Sequence, residues 1–450
     1  MKFFVHKLGC PKNDVDADYI SARLIDAGHE PVGSPEEAES VIVNTCGFIT
    51  AAKEESINEI IRLGQLKQSG QLKTLLATGC LTQRYGDEML KEMPELDGTF
   101  GHGALNSIAR AVGGNNGNGH RPERTVKLET RKLGYISWKH RFIAEPYPYA
   151  YLKISDGCDR ACTYCAIPGM RGRFRSRPID SILNEARFLA TNGKKELILV
   201  SQEATCYGYD LPGRPGILDL LKELEQVDGI EWIRLMYLYP AALDDALVDY
   251  MAADNKTLNY FDLPLQHINS EILTAMRRRV ERSHVEHILE RIRATSDDAV
   301  VRTTFIVGFP GETDGQFEEL RDFVEYYRFD RMGVFPYSPE EGTPAEQMAS
   351  QVPEKVTLER MDELMNLQRE IAFERNNSLI GSLQTVIIDA VDDNGVGLGR
   401  TAGDCPEIDQ EVSVTGENLA VGDLLRVRVD RVDGYDLVAS VVREHSHDTG

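Results

Sequence analysis

Ser155-Asp-Gly-Cys-Asp-Arg-Ala-Cys-Thr-Tyr-Cys-Ala-Ile-Pro168 carries three cysteines, Cys158, Cys162 and Cys165, in one short loop at C-x3-C-x2-C spacing. Thiols this close in sequence can all reach one metal centre. Iron–sulfur cubanes are normally held by four cysteine thiolates. Three protein ligands therefore leave one iron open, the feature that separates a catalytic metal site from a closed structural one. Structural zinc takes four ligands, usually in C-x2-C pairs, and no fourth cysteine or histidine lies near this loop. Tyr164, just before the third cysteine, offers a flat face for an adenine-like ring.

On either side of the loop, short apolar runs alternate with helical stripes. Strands are expected at Ala150–Ile154, Glu196–Val200, Trp232–Leu235, Tyr260–Leu263, Val300–Val307 and Met332–Phe335, with helices such as Ile217–Val227 and His284–Ala294 between them. About six βα units suit an open, partial (βα) barrel, whose active residues gather at the strand C-terminal ends. Three further segments fall at such ends. Thr304-Phe-Ile-Val-Gly-Phe-Pro-Gly-Glu-Thr313 has Gly308 and Gly311 for close backbone approach, and Glu312 and Thr313 to open a helix. Ser201-Gln-Glu-Ala-Thr205 supplies Gln202 and Glu203, and Asp262-Leu-Pro-Leu-Gln-His267 supplies Gln266 and His267, the histidine being equally readable as structural. Arg171, Arg173, Arg175 and Arg177 alternate, which puts them on one side of an extended segment, free to pair with a cofactor, an acidic substrate or the protein's own carboxylates.

The N-terminal part has the same βα rhythm, with strands at Lys2–His6, Ser40–Asn44 and Lys73–Thr78 and a helix over Asp14–Ala27, so a parallel sheet with covering helices is expected. A cysteine follows each strand: Cys10, Cys46 and Cys80. Ligands collect at the carboxyl ends of parallel strands, so these three thiols are expected to converge on a second cluster. Gly113 to Gly119 reads as a flexible break and the stretch to Pro148 as a linker. Pro353–Arg375 is a long amphipathic helix. Beyond it, period-two runs at 385–389, 411–414, 424–429 and 436–441 predict a small antiparallel barrel. The domains are thus expected at 1–112, 146–375 and 376–445, with a linker over 113–145.

The chain has 450 residues, 42% hydrophobic and 27% charged, and a formal net charge of −22. It lacks any run of eighteen apolar residues, and Met1–Gly9 is too short and too soon polar for a secretory signal, so a cytoplasmic protein without membrane spans is expected. Six of the eight cysteines fall into the two metal-seeking groups, which argues for a reducing compartment rather than a disulfide scaffold. The charge disfavours generic affinity for nucleic acid.

The cysteine loop, with its aromatic before the third cysteine, resembles the signature of the radical S-adenosylmethionine enzymes. Two cysteine triads followed by a small barrel resemble, across nearly the whole chain, the methylthiotransferases of that superfamily. The resemblance implies a flavodoxin-like N-terminal domain with a [4Fe–4S] cluster on Cys10, Cys46 and Cys80, and a partial (βα)6 domain with a second on Cys158, Cys162 and Cys165. It also implies a C-terminal TRAM barrel that binds the substrate macromolecule. S-adenosylmethionine would serve twice, as methyl donor and as source of the radical that activates a C–H bond, with Tyr164, Gln202, Glu203, Gly308 and Gly311 around it. An electron donor and a sulfur donor are required as partners.

The family has two branches, one modifying adenosine in transfer RNA and one an aspartate β-carbon in small-subunit ribosomal protein S-twelve. Leu8-Gly-Cys-Pro-Lys-Asn13, Asp262-Leu-Pro-Leu-Gln-His267 and the Ser201-Gln opening resemble the protein-modifying branch. Glu203 departs from it, since that branch usually has Asp there, and Cys206 is an added thiol read as a bystander. Cys405 has no visible partner. From Asn376 onward the chain has five arginines and no lysine against fourteen acids, a formal charge of −9. An RNA-gripping module should be basic; an acidic one suits a lysine- and arginine-rich protein.

Overall fold

The computed structural model describes residues 1–113, 124–128, 141–296 and 298–442. The N-terminal unit runs β1 (Lys2–Lys7), α1 (Pro11–Asp26), β2 (Glu30–Pro31), β3 (Ser40–Thr45), α2 (Thr50–Gln68), β4 (Thr74–Gly79), α3 (Cys80–Glu92), β5 (Gly98–Phe100), α4 (Leu105–Gly113) and β6 (Thr125–Lys127). Its six strands are all parallel, in the order β2-β1-β3-β4-β5-β6. β3 and β4 are buried at every position, the signature of parallel strands covered on both faces. The first five strands follow the flavodoxin order, and the switch point, where such folds hold ligands, lies between β1 and β3. Thr125–Lys127 extends this sheet, so part of the segment expected as linker is structured. The glycine-rich break at 114–119 lies outside the described residues.

The central unit comprises β7 (Tyr149–Lys153), β8 (Ser155–Asp156), α5 (Ile167–Arg171), β9 (Arg175–Ser176), α6 (Ile179–Thr191), β10 (Glu196–Val200), α7 (Ile217–Leu224), β11 (Trp232–Leu235), α8 (Asp245–Met251), β12 (Tyr260–Gln266), α9 (Ser270–Ala275), α10 (Arg282–Thr295), β13 (Val300–Val307), α11 (Asp314–Tyr327), β14 (Arg331–Pro336) and α12 (Glu354–Ser378). Parallel sheets β7-β10-β11 and β12-β13-β14 meet at an Ile233–Thr257 bridge and at the Leu238 N–H, which donates to Asp262 O at 2.9 Å. The result is an open arc of six strands. Alternate strand residues split between its faces, as the two-residue period requires. Leu152, Leu199, Ile233 and Phe261 pack under the helices. Tyr151, Ile198, Trp232 and Tyr260 point the other way, against Val15 and Tyr19 of α1 and Ile387 and Cys405 of the C-terminal unit. The concave face is therefore closed by the other two domains. Cys405 finds its partners here, buried in that core.

The C-terminal unit is a closed barrel of β15 (Leu383–Val391), β16 (Gly397–Thr401), β17 (Val412–Thr415), β18 (Leu424–Asp433) and β19 (Asp436–Val441), in the order β15-β16-β17-β19-β18. Two details depart from expectation. The barrel is not wholly antiparallel, since β17 and β19 run parallel. β16 is an additional strand, hidden in the sequence by Gly-Leu-Gly. Gly399 is required because a Cβ there would lie 2.3 Å from Ile387 O.

A buried ion network seats the barrel. Glu196 Oε1 accepts from Arg234 Nε at 2.8 Å, its Oε2 lies 2.8 Å from Arg400 Nη2, and all three side chains are almost completely buried. Arg331 pairs with Asp404 and Arg302 with Asp409. Removing one member of a buried network strands the others, at a cost of about 3–5 kcal/mol. Glu196→Gln should lose roughly that much stability, read as a lowered urea midpoint in chemical denaturation.

Candidate active site at the domain boundary

The Cys158–Cys165 loop leaves β7 at the carboxyl edge of the arc and is tied down along its length. The Cys158 N–H donates to Gly172 O at 3.1 Å, and the Thr163 N–H and hydroxyl to Met276 O and Ala275 O at 3.1 and 2.8 Å. The Ala345 N–H donates back to Thr163 O at 3.0 Å. Gly157 makes the entry turn at φ +78°, with a Cβ position only 2.1 Å from Arg173 O. Only glycine fits both demands. The three cysteines are partly exposed, while Arg278 faces the Cys162 thiol. Tyr164 packs on Met276 and Phe309.

Cys10, Cys46 and Cys80 stand at the ends of β1, β3 and β4, as the βα rhythm predicts. Cys10 precedes α1 and Cys80 begins α3. Asn13 and Asn44 lace the loops together: Asn13 Nδ2 donates to Leu8 O and Thr45 O at 2.8 and 3.2 Å, and Asn44 Nδ2 to Asn13 O at 2.7 Å. A Cβ on Gly9 would come within 2.6 Å of Cys46 Cβ, so that loop must carry glycine to bring Cys10 and Cys46 together. Burial pushes the Cys46 thiol up to about 12, with Cys80 and Cys10 adding to the shift. Burial also raises Cys80, against the neighbouring Arg171 charge. In the other triad burial carries Cys158 to about 11 and Cys165 to about 12. Thiols so placed give up their protons to a metal rather than to water. Among the described residues, no three His, Cys, Asp or Glu side chains close on a single metal ion. The chemistry of both donor sets, three thiols and no imidazole, fits an iron–sulfur cluster.

Side chains from the two domains tie the segments that carry the triads together across the domain boundary. Arg171, at the end of α5, donates to Asp16 Oδ2 at 2.8 Å and to Asn13 Oδ1 at 2.7 Å, beside Cys80 and Cys10. Lys153 Nζ reaches Asp16 Oδ1 at 2.6 Å. Lys12, next but one to Cys10, donates to Ser201 O at 3.1 Å. Glu340 receives Lys53 and Arg84 from the N-terminal domain at 2.7 and 3.0 Å.

The remaining expected residues divide. Glu203 is buried and folded into its own turn, accepting from the Cys206 N–H at 2.9 Å and from the Thr205 hydroxyl. It also accepts from Arg160 Nε at 3.3 Å. Arg160, from within the cysteine loop, donates to Cys206 Sγ at 3.1 Å and stacks 4.0 Å from the Tyr239 ring centroid. Cys206 is thus part of the cysteine loop's support rather than a bystander. Gln202 is half-buried, and its Oε1 is buried without a hydrogen-bond partner. Gly308, at φ +74°, leaves 2.1 Å between a Cβ and Thr357 Oγ1, so its lack of a side chain serves the packing of α12. Its N–H and that of Phe309 are taken by the Glu312 carboxylate. Gly311 has open space around it. The alternating arginines do not share a side. Arg171 ends a helix, Arg177 is buried against Glu185 at 2.7 Å, and Arg173 reaches Asp159 at 3.3 Å. These three pair with the protein's own carboxylates, whereas Arg175 donates to Arg171 O at 3.0 Å. His267 is buried, accepts from the Asn269 N–H at 3.0 Å, and is pushed down to about 3 by burial. It stays neutral, as a structural histidine.

Residues 152–324 match the radical SAM superfamily, 2–101 a family described as uncharacterized protein family UPF0004, and 380–442 the TRAM domain. The radical S-adenosylmethionine methyltransferase TsrM from Kitasatospora setae, with cobalamin and a [4Fe-4S] cluster bound, shares the fold at a TM-score of 0.54 and 15% identity, covering 85% of this chain and 80% of that one. Fold and site together define a radical S-adenosylmethionine enzyme, which uses that cofactor and a [4Fe–4S] cluster. The chain is 42% identical to "Ribosomal protein uS12 methylthiotransferase RimO" of Desulfitobacterium hafniense (98% of this chain, 99% of that protein) and 43% identical to the protein of the same name from Syntrophomonas wolfei (96% and 98%). It belongs to this RimO methylthiotransferase family.

Displacing the cysteine loop by an ångström suffices to cost about 100-fold in rate. Gly157→Ala should reduce cleavage of S-adenosylmethionine by at least that factor, measured as 5′-deoxyadenosine released after chemical reduction.

Proposed function

We propose that the enzyme places a methylthio group on the β-carbon of an aspartate in ribosomal protein uS12, and that its two cysteine triads divide the work. The juxtaposition of the triads through Arg171 carries this reading, because sulfur delivery and C–H activation must reach one carbon. Cys158, Cys162 and Cys165 would hold the radical cluster and Cys10, Cys46 and Cys80 the second. S-adenosylmethionine bound at the first site supplies hydrogen-atom abstraction from an unreactive C–H bond. The chain's own residues then orient and exclude. Arg160 and Arg278 flank Tyr239, at 4.0 and 4.5 Å from its ring centroid, and fix the wall beside Cys162. Tyr164, Gln202 and Gly311 remain the candidates to line the cofactor. An electron donor and a sulfur donor complete the cycle.

The barrel supports a basic substrate, with one revision. Asp389, Asp404 and Asp409 are spent on internal pairs with Arg400, Arg331 and Arg302, and Arg443, Glu444 and Asp448 lie outside the described residues. Asp392, Asp393, Glu411, Glu417, Asp430, Asp433 and Asp436 remain exposed against Arg426, Arg428 and Arg431. The surface is still acidic and suits electrostatic capture of a lysine- and arginine-rich protein.

Cys162→Ala should abolish S-adenosylmethionine cleavage, whereas Cys10→Ala should retain cleavage and lose methylthio transfer. Product from Cys10→Ala would overturn the division of labour. In cells, deleting the gene should remove one methylthio mass from uS12 and leave transfer-RNA nucleosides unchanged. Loss from an adenosine instead would refute the protein substrate.

A further inference from the structure

We infer that the strap formed by residues 337–348 sets the two cysteine triads relative to one another, with Glu340 as the positioning residue that anchors it to the N-terminal domain. The inference rests on the division of labour proposed above. Glu340 lies between β14 and α12 in the central domain, and its side chain is 2% exposed. Both carboxylate oxygens are engaged. Oε2 receives Lys53 Nζ at 2.7 Å and Arg84 Nη1 at 3.0 Å, both from the N-terminal domain. Oε1 receives the Ser338 hydroxyl at 2.9 Å, and the Glu340 carbonyl receives the Thr343 N–H and hydroxyl at 3.1 and 2.6 Å. Hydrogen bonds between ionised groups are short and strong, so one carboxylate against two cations makes a firm clamp.

The strap is tied to cysteine-bearing segments at both ends. Lys53 stands in the first turn of α2, the helix that follows Cys46, and Arg84 is one turn into α3, which begins with Cys80. Arg84 also donates to the Gly47 carbonyl at 3.2 Å and to the Glu341 carbonyl at 2.9 Å. Its guanidinium thereby joins the residue after Cys46, the Cys80 helix and the strap. Tyr85, at the residue where α3 leaves helical geometry, donates to Glu341 Oε2 at 2.9 Å. Five residues beyond Glu340, the Ala345 N–H donates to Thr163 O at 3.0 Å, inside the central cysteine loop. Ala345, Tyr337 and Met348 pack in the same apolar cluster as Tyr164. Between the two ends, the Thr343 bonds to Glu340 and the Gly342 N–H donating to Glu346 Oε2 at 2.9 Å keep the strap from being a slack tether. Arg171 holds the segment that carries Asn13 and Asp16, whereas Glu340 holds the segments that follow Cys46 and Cys80. Sulfur delivery and hydrogen abstraction must meet at one carbon, and a misplacement of an ångström costs about 100-fold. Glu340 acts on that meeting only through the segments it clamps.

The test compares wild type, Glu340→Gln and Glu340→Asp as full-length enzyme reconstituted with iron and sulfide, with Glu196→Gln as a control for lost stability alone. Glutamine keeps the shape of Glu340 and removes the charge that holds Lys53 and Arg84. Iron content should match wild type in Glu340→Gln. Release of 5′-deoxyadenosine should stay within about twofold, while methylthiolated uS12 formed per 5′-deoxyadenosine should fall about 10-fold. Glu340→Asp should recover part of that ratio. In Glu196→Gln the two products should fall together, leaving the ratio unchanged. Without any substrate, amide hydrogen exchange over residues 342–348 should quicken about 10-fold in Glu340→Gln. An unchanged ratio in Glu340→Gln would overturn the inference, as would unaltered exchange, loss of iron from either triad, or an equal fall in the ratio for Glu196→Gln. Should wild-type enzyme itself leave uS12 unmodified, the proposed function fails, and the exchange measurement still decides whether Glu340 fixes the strap.

Discussion

Arg171 joins the molecule's two halves. It follows the last cysteine of the central triad by six residues, is fully buried, and donates across the domain boundary to Asp16 and Asn13 while facing Cys80. A buried guanidinium is tolerated only when its donors are matched, and the partners here all come from the segments that position the cysteines. Asn13 laces the Cys10 loop to the Cys46 loop, and Asp16 also takes Lys153 from β7. Moving either triad would leave a charge unpaired in the interior. The separation of the triads is thereby fixed by electrostatics as well as by packing.

The architecture was legible wherever one physical signal dominated. β10, β11 and β13 run over the residues their apolar stretches marked: β10 and β11 are buried at every position, and β13 alternates between buried and partly exposed positions. Cysteine after each of three strands placed a triad at one sheet edge for the same topological reason. The short strands β2, β5, β6 and β16 were not legible. Two or three residues carry no period, and Gly397-Leu-Gly reads as a turn until the approach of Ile387 O explains the glycine.

The placement of the N-terminal cysteines after successive strands was legible, and the contacts that support both cysteine groups were not. Arg160, Arg278, Tyr237 and Tyr239 act through contacts between segments far apart in sequence, and no local spacing announces such pairs. The alternating arginines misled in the opposite direction. A two-residue period implies one side only where the backbone is extended, and Arg171 ends a helix. Gly308 misled similarly: a glycine beside an active-site mouth suggests ligand approach, but Thr357 of α12 occupies that space. Net charge was informative only after burial was known, since Asp404 and Asp409 work inside the protein.

All three domains share one packed core. The open arc of the central domain would expose Tyr151, Trp232 and Tyr260 on its concave face, and α1 with the Ile387 and Cys405 segment of the barrel domain buries them. The same helix α1 starts just after Cys10 and carries Lys12, Asn13 and Asp16 into the boundary. Closing the arc and aligning the triads are thus a single packing event. A reaction that must deliver sulfur and activate a C–H bond at one carbon gains from this, because reactive groups held at fixed separation avoid the entropy of bringing them together. A flexibly tethered N-terminal domain would forfeit that advantage, which accounts for how much buried charge the boundary contains.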